Sequence, residues 1–443
     1  MPKEISESAM IKLLNAQWTK LTDQRKANNN RQYEVKDAAM SALSMFHMQS
    51  PSFLAFQRDM NRKQGRDNVQ SLYKVKSIPS DAQIRNLLDV VNPYELQSSF
   101  EQMYNYVARC VPSEQLLGLK GRRCIAWDGT HYYHSNKKSC KRCLTHKDAQ
   151  GHRHYQHAAL MAMQMCQGEN EVLALMPEMI QNSDGQEKQD CERNAAHRWL
   201  KRHASGWLGD SVIFFGDDLY ANQPLCESIV NTYHQHFIFV AKPQSHPWMY
   251  DMLGWLSTQK LIQTRQIRVR NGKRKELHCY RWVEAVPLNL AGDAMKVTWL
   301  EFTLTDESTG EQIYHNAWVT DLSVDADNVV EYVQLARQRW MIENEGHNTL
   351  KRQGYHLEHN FGHGKDNLSA TLFMLNLLAF LMHSIQRLSS ELYQRLRKEL
   401  GTRITFFQSI VVLLRFNLFE SWLALYVFMF KGLNLLFPDD VFT

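Results

Sequence analysis

The spacing of apolar residues divides the chain into five regions of different predicted structure. Residues 1–117 carry apolar side chains at intervals of three and four, which predicts a helical N-terminal region. In residues 118–243 short apolar runs alternate with helix-like periods, and this predicts the first part of an α/β core with a mixed sheet. Residues 244–320 have a β pattern, residues 321–387 return to the helical period as the second part of the core, and residues 388–443 continue as a helical tail.

The β-rich insert, residues 244–320, contains a hairpin pattern. From Thr264 to Arg270 apolar and basic residues alternate, so that one face is predicted to be cationic. Asn271-Gly272 then supplies the commonest tight hairpin turn, and a second alternating run follows. We therefore predict a pair of antiparallel strands that projects basic side chains on one side.

Composition adds limits on compartment and partner. Lys and Arg number 51 against 46 Asp and Glu, and a net charge of +5 suits a polyanionic partner without requiring one. Eight cysteines in 443 residues do not make a disulfide framework, and the first residues lack the apolar core of a signal peptide, so we expect an intracellular protein. The uncharged stretch from Asn367 to Gln386 has the length of a membrane span, but its polar residues favour a buried core helix.

Three acidic residues occupy positions typical of a carboxylate metal site. Asp128 and Asp217 each follow a short apolar run, so both are predicted at strand ends, where a rigid sheet opens into a cleft. Glu343 lies in a segment of helical period. Each acid alone has an ordinary explanation as a turn, a helix cap or an exposed ion-paired face. Together they can surround two Mg²⁺ or Mn²⁺ ions about 3.5–4 Å apart, as phosphodiester chemistry requires.

Two neighbouring acids are the named alternatives for these positions. Side chains alternate across a strand, so only one of Asp217 and Asp218 can share the metal-facing side. We prefer Asp217 and predict that Asp218 caps a helix that begins near Asn222. Glu345 points away from Glu343 on a helical wheel and is the alternative to it.

These motifs resemble those of bacterial insertion-sequence transposases of the RNase H-like DDE superfamily, in the insertion sequence 4 type with a β insert and a Tyr-Arg-Glu-Lys signature. The resemblance spans roughly residues 120–385, and its most specific string is RWMIE, which ends at Glu343. It implies an RNase H-like core in which Asp128, Asp217 and Glu343 hold the metal ions. It also implies that Arg339 contacts DNA phosphate near the cut.

The chain departs from this signature at two positions. Ala336 stands where the signature has its tyrosine, the nearest being Tyr332, and Leu350 stands where it has its lysine. Lys351 is the next residue along and is the predicted lysine contact to DNA. The three acids match the pattern.

The reaction that the resemblance implies is metal-dependent cleavage at the ends of an insertion sequence, followed by strand transfer into target DNA. The implied partners are transposon ends and target DNA, with a homodimer in the DNA complex. Residues 1–117 would help to bind the ends, and residues 388–443 would support dimer contacts. The implied location is the bacterial cytoplasm, at the nucleoid.

Other residues offer further chemistry. Cys140 and Cys143 form a Cys-x-x-Cys, a possible structural zinc site that nearby histidines could complete; the alternative is a lysine-rich loop with inert thiols. The histidines that follow the motif are His146, His152, His154 and His157. A second group, His356, His359 and His363, is predicted to lie in a loop beside the acids.

The basic hairpin is predicted to contact DNA phosphates or, alternatively, to face solvent. Its cations are Arg268, Arg270, Lys273 and Arg274. The tryptophans of the insert are predicted to be core residues rather than platforms for an unpaired base. They are Trp282, Trp299 and Trp318.

Two other functions fit parts of the pattern. A DNA-binding protein descended from a transposase would lack catalysis and would be expected to have lost at least one of the acids. A zinc-dependent nuclease or regulator would instead be centred on Cys140 and Cys143.

Overall fold

The computed structural model describes residues 6–25, 32–60, 68–168, 170–182, 189–204, 211–272 and 274–438. Helices lie at both ends of the chain, and a mixed sheet lies between them. The prediction of an α/β protein with a mixed sheet and helical flanks is confirmed.

The N-terminal region consists of helices and short turns. The helices are α1 Glu7–Trp18, α2 Val35–His47, α3 Phe53–Met60, α4 Asn68–Tyr73, α5 Asp81–Asp89, α6 Gln97–Cys110 and α7 Ser113–Leu116, with 3₁₀ turns at Pro93–Leu96 and Leu119–Gly121. Local sequence fixes their ends, as α5 shows. The Ser80 hydroxyl accepts a hydrogen bond from Gln83 N, and the Gln83 side chain accepts one from Ser80 N, so a capping box starts the helix. Its spaced apolar residues Ile84 and Leu88 are then buried.

The strands form one sheet with parallel pairing at its centre. They are β1 Arg123–Ser135, β2 Leu144–Lys147, β3 Arg153–Met165, β4 Val172–Ala174, β5 Glu178–Ile180, β6 Val212–Gly216, β7 His236–Val240, β8 Gln263–Asn271, β9 Arg274–Pro287, β10 Lys296–Asp306 and β11 Gln312–Thr320. The order is β2-β3-β1-β6-β7-β11-β10-β9-β8, and β4 and β5 both pair with β3. β6 is parallel to β1 and to β7, whereas β3 is antiparallel to β1.

The predicted strand end at Asp128 is wrong, because β1 continues to Ser135. Its parallel partner β6 pairs with it only as far as Ala126. The antiparallel partner β3 goes on pairing with β1 as far as Ser135, with one register shift after His131, and this keeps the chain extended. Asp128 therefore lies where β1 loses one neighbour and keeps the other.

The segment predicted as an insert extends the same sheet. β11 pairs with β7 through Trp318 and Val240, so β8 to β11 continue the core sheet without a break. Asn271 pairs with Arg274 across the hairpin turn that the Asn-Gly sequence predicts, and Lys273 lies outside the described residues. The three tryptophans of the segment are buried, which confirms their interpretation as core residues.

The remaining helices cover the sheet and build the C-terminal region. They are α8 Glu192–His203, α9 Gln223–Glu227, α10 Pro247–Thr258, α11 Val329–Arg337, α12 Thr349–Arg352, α13 Leu368–Ser389, α14 Glu391–Glu399, α15 Arg403–Phe416 and α16 Trp422–Gly432, with π-helical turns at Ser228–Thr232 and Ile342–Asn348. The continuous helix predicted for the glutamate region is interrupted after Arg337, and Glu343 lies in the second π turn. We call Ile342–Asn348 the glutamate segment.

Helix α13 is the apolar stretch that has the length of a membrane span. Its most apolar window is 94% buried inside the protein, so its interpretation as a core helix is confirmed. It packs against α2, α5 and α6 of the N-terminal region and against β4 of the sheet. The N-terminal helices and the sheet thus share one hydrophobic core.

Candidate functional site

Asp128 and Asp217 occupy matching positions on neighbouring parallel strands. Ala126 of β1 pairs with Phe215 of β6, and each acid follows two residues later. Between them and the core, the buried ring of Trp127 stacks on Phe214 with 4.3 Å between ring centroids. Burial of such a side chain contributes about 1.5–3 kcal/mol, which helps to hold the strands that present the acids.

The glutamate segment brings Glu343 to the same place from a third element. The segment contacts β1 and β3, and the contact is close at Gly346. A Cβ atom on Gly346 would lie 2.5 Å from the Met163 sulfur of β3, so a larger residue would push the segment outward. The absence of a side chain at Gly346 therefore allows Glu343 to approach the strand that carries Asp128.

The charges of these acids act on one another. Burial raises the pKa of Asp128, and the carboxylates of Glu192, Asp217 and Glu343 raise it further, while Arg339 lowers it; the result is about 7. The structure thus gathers the three predicted acids closely enough for two of them to disfavour ionisation of the third. Negative charge exceeds positive charge around Asp128.

The predicted cations lie at the edge of this acidic site. Arg339 Nη2 is 2.6 Å from Glu343 Oε1, four residues along the chain. Lys351 pairs with Glu358 at 2.9 Å, yet its charge also lowers the pKa of His347, so it lies near the acids. Each of these side chains has N–H groups outside its ion pair that can donate hydrogen bonds to a phosphate.

The two alternative acids face elsewhere. Asp218 accepts a hydrogen bond from Lys242 N at 2.6 Å and another from the Ser245 hydroxyl. The prediction that it caps α9 is wrong, because Asn222 itself is the cap and accepts from Leu225 N at 3.3 Å. Asp218 instead fixes the chain that follows β7.

Glu345 also faces away from Asp128. Burial raises the pKa of Glu345, while Arg403 and Arg387 of the C-terminal helices lower it. Its carboxylate is therefore directed toward the C-terminal region. Asp217 and Glu343, rather than their neighbours, are the acids that act on Asp128.

Glu192 is a fourth acid that sequence reasoning missed. It is the first residue of α8, and its Oε2 accepts a hydrogen bond from the Tyr220 hydroxyl at 3.0 Å. A Cβ atom on Gly129 would lie 2.1 Å from Glu192 Oε1, so the glycine after Asp128 leaves room for this carboxylate rather than making a turn. The Asp-Gly pair was the available signal, and a local turn explained it equally well.

His347 is the second residue that was missed. Its Nε2 lies 3.7 Å from Asp128 Oδ2, and it makes no hydrogen bond within the described part of the chain although it is buried. Burial lowers the pKa of His347 to about 4, with Lys351 lowering it further and Glu343 raising it, so the ring is neutral at pH 7. The Nε2 atom of a neutral imidazole at this position can either donate a hydrogen bond to a bound molecule or accept one from it, depending on the tautomer.

A separate group of soft ligands lies farther along β1, where His157 of β3 pairs with Tyr133. Cys140, Cys143, His157 and His363 place one ligand atom each within 4.8 Å of all the others, and this is the one such His/Cys/Asp/Glu group among the described residues. The group, which we call the Cys/His cluster, can hold a metal ion such as zinc. The carboxylates of Asp128, Asp217 and Glu343 do not form such a compact group among the described residues.

The sequence identified part of this cluster. Cys140, Cys143 and His157 were among the predicted ligands, whereas His363 was assigned to a loop beside the acids. His152 and His154, the nearer histidines, pair with Asp148 instead. His363 lies 206 residues after His157, and no spacing rule connects ligands so far apart.

The hydrogen bond between the two cysteines shifts their pKa values in opposite directions. This bond lowers the pKa of Cys140, burial opposes the lowering, and His157 and His363 add to it. The same bond raises the pKa of Cys143, and burial adds to that.

Two of the four cations predicted for the basic hairpin pair with nearby acids. Arg268 lies 2.5 Å from Glu307, and Arg274 lies 3.5 Å from Asp306. Arg270 bonds only weakly to Gly272 O at 3.4 Å and has no ion pair among the described residues. The predicted cationic face thus keeps less free charge than its sequence indicates.

Comparison with known proteins does not add a relative from which a function can be transferred. No protein-family model and no curated protein matches the chain.

Proposed function

We propose that the protein is a transposase of the DDE type, which cuts DNA at the ends of an insertion sequence and joins them to target DNA with divalent metal ions. The observation that carries this proposal is that Asp217, after a neighbouring parallel strand, and Glu343, in a helical segment, lie near enough to Asp128 to raise its pKa. An RNase H-like core, the finer fold assignment, is part of the same proposal and agrees with acids on adjacent strands of a mixed sheet.

The electrostatics favour a cation at this position. Burial, together with repulsion from the neighbouring carboxylates, raises the pKa of Asp128 to about 7, so ionising all of these acids is costly without a counter-charge. Arg339 supplies one positive charge, and that charge is already paired with Glu343. Carboxylate oxygens prefer hard ions such as Mg²⁺ or Mn²⁺, which would supply the missing charge.

The chain's own residues have distinct roles in this proposal. Asp128, Asp217 and Glu343 supply the oxygens that hold the two ions. Two divalent ions held there would supply activation of a water or a 3′-hydroxyl and stabilisation of the leaving oxygen of the phosphodiester. Neutral His347 is placed to hydrogen-bond a group bound beside Asp128, and Arg339 is placed to bind a nearby phosphate.

DNA is the partner that the proposal requires. Within the hairpin Arg270 is the cation we expect to bind phosphate, because Arg268 and Arg274 are already paired with acids. Arg339 and Lys351 are also paired, with Glu343 and Glu358, but they lie beside the acidic site and have further N–H groups that can donate to a phosphate. A homodimer in the DNA complex and a location in the bacterial cytoplasm at the nucleoid belong to the same hypothesis.

Strand cleavage tests the proposal. The substrate is DNA that carries the sequences flanking the gene, incubated with Mg²⁺ or Mn²⁺. Asp128→Asn, Asp217→Asn and Glu343→Gln each keep side-chain size and remove one charge, and each should reduce cleavage by at least about a hundredfold, since bound metal contributes several kcal/mol at the transition state. Glu345→Gln and Asp218→Asn are the matched controls and should keep the rate within a few fold.

End binding, measured on the same samples, separates the rival functions. Binding depends on cationic side chains and base contacts, so the three acid variants should bind as well as the unchanged protein. Binding without any cleavage by the unchanged protein would favour a transposase-derived DNA-binding protein. Equal cleavage by the acid variants and their controls would refute the proposed site.

A further inference from the structure

We propose that Cys140, Cys143, His157 and His363 bind one structural Zn²⁺, which fastens the loop after the glutamate segment to the sheet. The proposal depends only on these residues and their surroundings, and it holds whether or not the protein cuts DNA.

Five of the six distances between ligand atoms of the cluster are close to those of a tetrahedral zinc site. Zn–S bonds of about 2.3 Å and Zn–N bonds of about 2.0–2.1 Å place two sulfurs about 3.8 Å apart, two nitrogens about 3.3–3.4 Å apart, and mixed pairs about 3.5–3.6 Å apart. The two sulfurs are 3.7 Å apart, and the two Nε2 atoms are 3.1 Å apart. The sulfur–nitrogen distances are 3.6 Å for Cys140–His157, 3.5 Å for Cys143–His157 and 3.5 Å for Cys143–His363.

Hydrogen bonding prepares His363 as a ligand. Its Nδ1 lies 2.9 Å from the carbonyl oxygen of Gly364 and donates to it, so in the neutral ring the lone pair of Nε2 faces the cluster. Metal-binding histidines commonly have such a partner for the second ring nitrogen, because it fixes both tautomer and orientation.

The backbone around the two cysteines also suits a metal. Cys143 N donates to Cys140 O at 3.2 Å, which closes a tight turn, and Cys140 N donates to Cys143 Sγ at 3.3 Å. β2 begins at Leu144, which pairs with Gln156 of β3, so Cys143 is brought beside His157. The sulfurs are too far apart for a disulfide, whose bond is about 2.05 Å long.

Four protein ligands complete the coordination of zinc, and this distinguishes a structural site from a catalytic one. Cys143, His157 and His363 are all buried. A catalytic zinc keeps an open position for water or substrate, which this set of ligands would not leave. The structural role therefore fits better than a zinc-dependent nuclease.

The metal would join parts of the chain that are distant in sequence. The connecting loop, residues 353–367, links α12 to α13 and contains His363. From the other side, Asp89 accepts hydrogen bonds from the backbone N–H groups of Lys365, Asp366, Asn367 and Leu368. Burial raises the pKa of Asp89, but these four bonds outweigh it and lower the pKa, which keeps the carboxylate charged. The loop is thus held by α5 on one side and by the cluster on the other.

Metal content is the first test. The protein is purified without added zinc, and metal is counted by mass spectrometry together with protein concentration. About one zinc per chain is expected. Cys143→Ser and His363→Ala should lower the zinc content. The controls are Cys191→Ser, which changes an exposed thiol outside the cluster, and His359→Ala, which changes an exposed histidine of the connecting loop; both should keep the zinc.

Cobalt binding to the unchanged protein tests the zinc site without relying on the folding of any variant. Zinc is removed with a chelator, and Co²⁺ is added in its place. The visible absorption of cobalt with thiolate ligands in a tetrahedral site is expected. Protein that holds no zinc as purified and binds neither zinc nor cobalt at equimolar concentration would overturn the proposal, as would a disulfide between Cys140 and Cys143 in the purified protein.

Hydrogen exchange tests the fastening of the loop. After zinc removal, amides of residues 353–367 should exchange at least about tenfold faster, and zinc should restore their protection. The hairpin of β8 and β9, which is remote from the cluster, is the internal control and should not change. Zinc binding with unchanged exchange in the loop would contradict the fastening role.

Discussion

The acidic site and the Cys/His cluster lie at different points along β1 and differ in how their ligands are arranged. The cluster has four ligand atoms within 4.8 Å of one another, and three of its residues are buried. The acidic site has an exposed edge, a surplus of negative charge and an Asp128 pKa raised to about 7. The cluster is therefore complete by itself, while the acidic site gains its counter-charge only with added ions and substrate.

Under our two proposals, this difference corresponds to two uses of metal in one protein. Preformed soft ligands suit a permanent Zn²⁺ that contributes to folding. Open, repelling carboxylates suit Mg²⁺ or Mn²⁺ that arrives with the phosphate it acts on. The two sites also draw candidate ligands from one stretch of chain. Glu343 of the acidic site comes shortly before the connecting loop, and His363 of the Cys/His cluster lies within that loop.

Loss of the zinc ligand Cys143 should have the largest effect on stability. In Cys143→Ser the buried centre loses a thiolate, and the free energy of unfolding should fall by several kcal/mol, on the order of that for other lost structural metals. Urea unfolding at fixed zinc concentration measures it. Cys191→Ser should have little effect, because Cys191 is exposed and serine is favourable at the start of a helix. If Cys143→Ser and Cys191→Ser had equal free energies of unfolding, the Cys/His cluster would not hold a stabilising metal.

The pH dependence of stabilisation by Mn²⁺ should single out the acidic site. The folded-state pKa of Asp128 is about 7, above its unfolded value of about 3.9. The metal-free folded protein therefore binds the proton more tightly than the unfolded chain, and this contribution makes stability fall as pH rises between these values and then level off. Because Mn²⁺ must displace that proton, the Tm increase caused by Mn²⁺ should grow over the same range.

Asp128→Asn is the control for that measurement. It removes the titrating carboxylate, so the Mn²⁺-dependent increase in Tm should become small and lose its pH dependence. An unchanged profile would show that Asp128 is not the group involved.

The sequence predicted the elements whose chemistry is local. Apolar runs followed by acid located Asp128 and Asp217, and the Asn-Gly turn located the β8–β9 hairpin. It could not locate the end of β1, because the pairing of β3 beyond Ala126 decides how far that strand extends. Pairing between distant strands has no signature within either strand.

Each site also contains a residue whose position depends on long-range packing and not on local sequence. Glu192 and His363 reach their positions only through packing of α8 against the sheet and of the connecting loop against the cluster. The π turn around Glu343 also changes the helical phase, so a wheel with 3.6 residues per turn does not describe the side chains that follow it. Local sequence patterns thus predicted some ligands of each site but not the residues, such as Glu192 and His363, that complete its surroundings.

Gly129→Ala should perturb the acidic site moderately. The added Cβ would lie 2.1 Å from Glu192 Oε1 and would displace that carboxylate from Tyr220, so we expect a loss of about 1–2 kcal/mol in unfolding free energy. Urea unfolding provides the value. Gly254→Ala, in α10 with open space around it, should be neutral or stabilising. A neutral Gly129→Ala would mean that Glu192 moves away without cost.

The smallest expected effect concerns the basic hairpin. Arg270→Ala should reduce the slope of log binding against log salt by about 1 if this arginine meets a phosphate. Arg268→Ala should change the slope less, because Glu307 already neutralises Arg268. DNA binding at several salt concentrations gives both slopes, and equal slopes for both variants and the unchanged protein would mean that the hairpin faces solvent.

The central claim is that the acids form a second metal site, distinct from the Cys/His cluster and required for DNA chemistry. Manganese binding to the zinc-loaded protein with its end DNA tests it most directly, with free Mn²⁺ measured by electron paramagnetic resonance. We predict that the unchanged protein binds manganese and retains its zinc, and that Glu343→Gln binds less manganese whereas Glu345→Gln binds as much as the unchanged protein. Equal manganese binding by all three proteins, or release of zinc in proportion to manganese bound, would contradict the account.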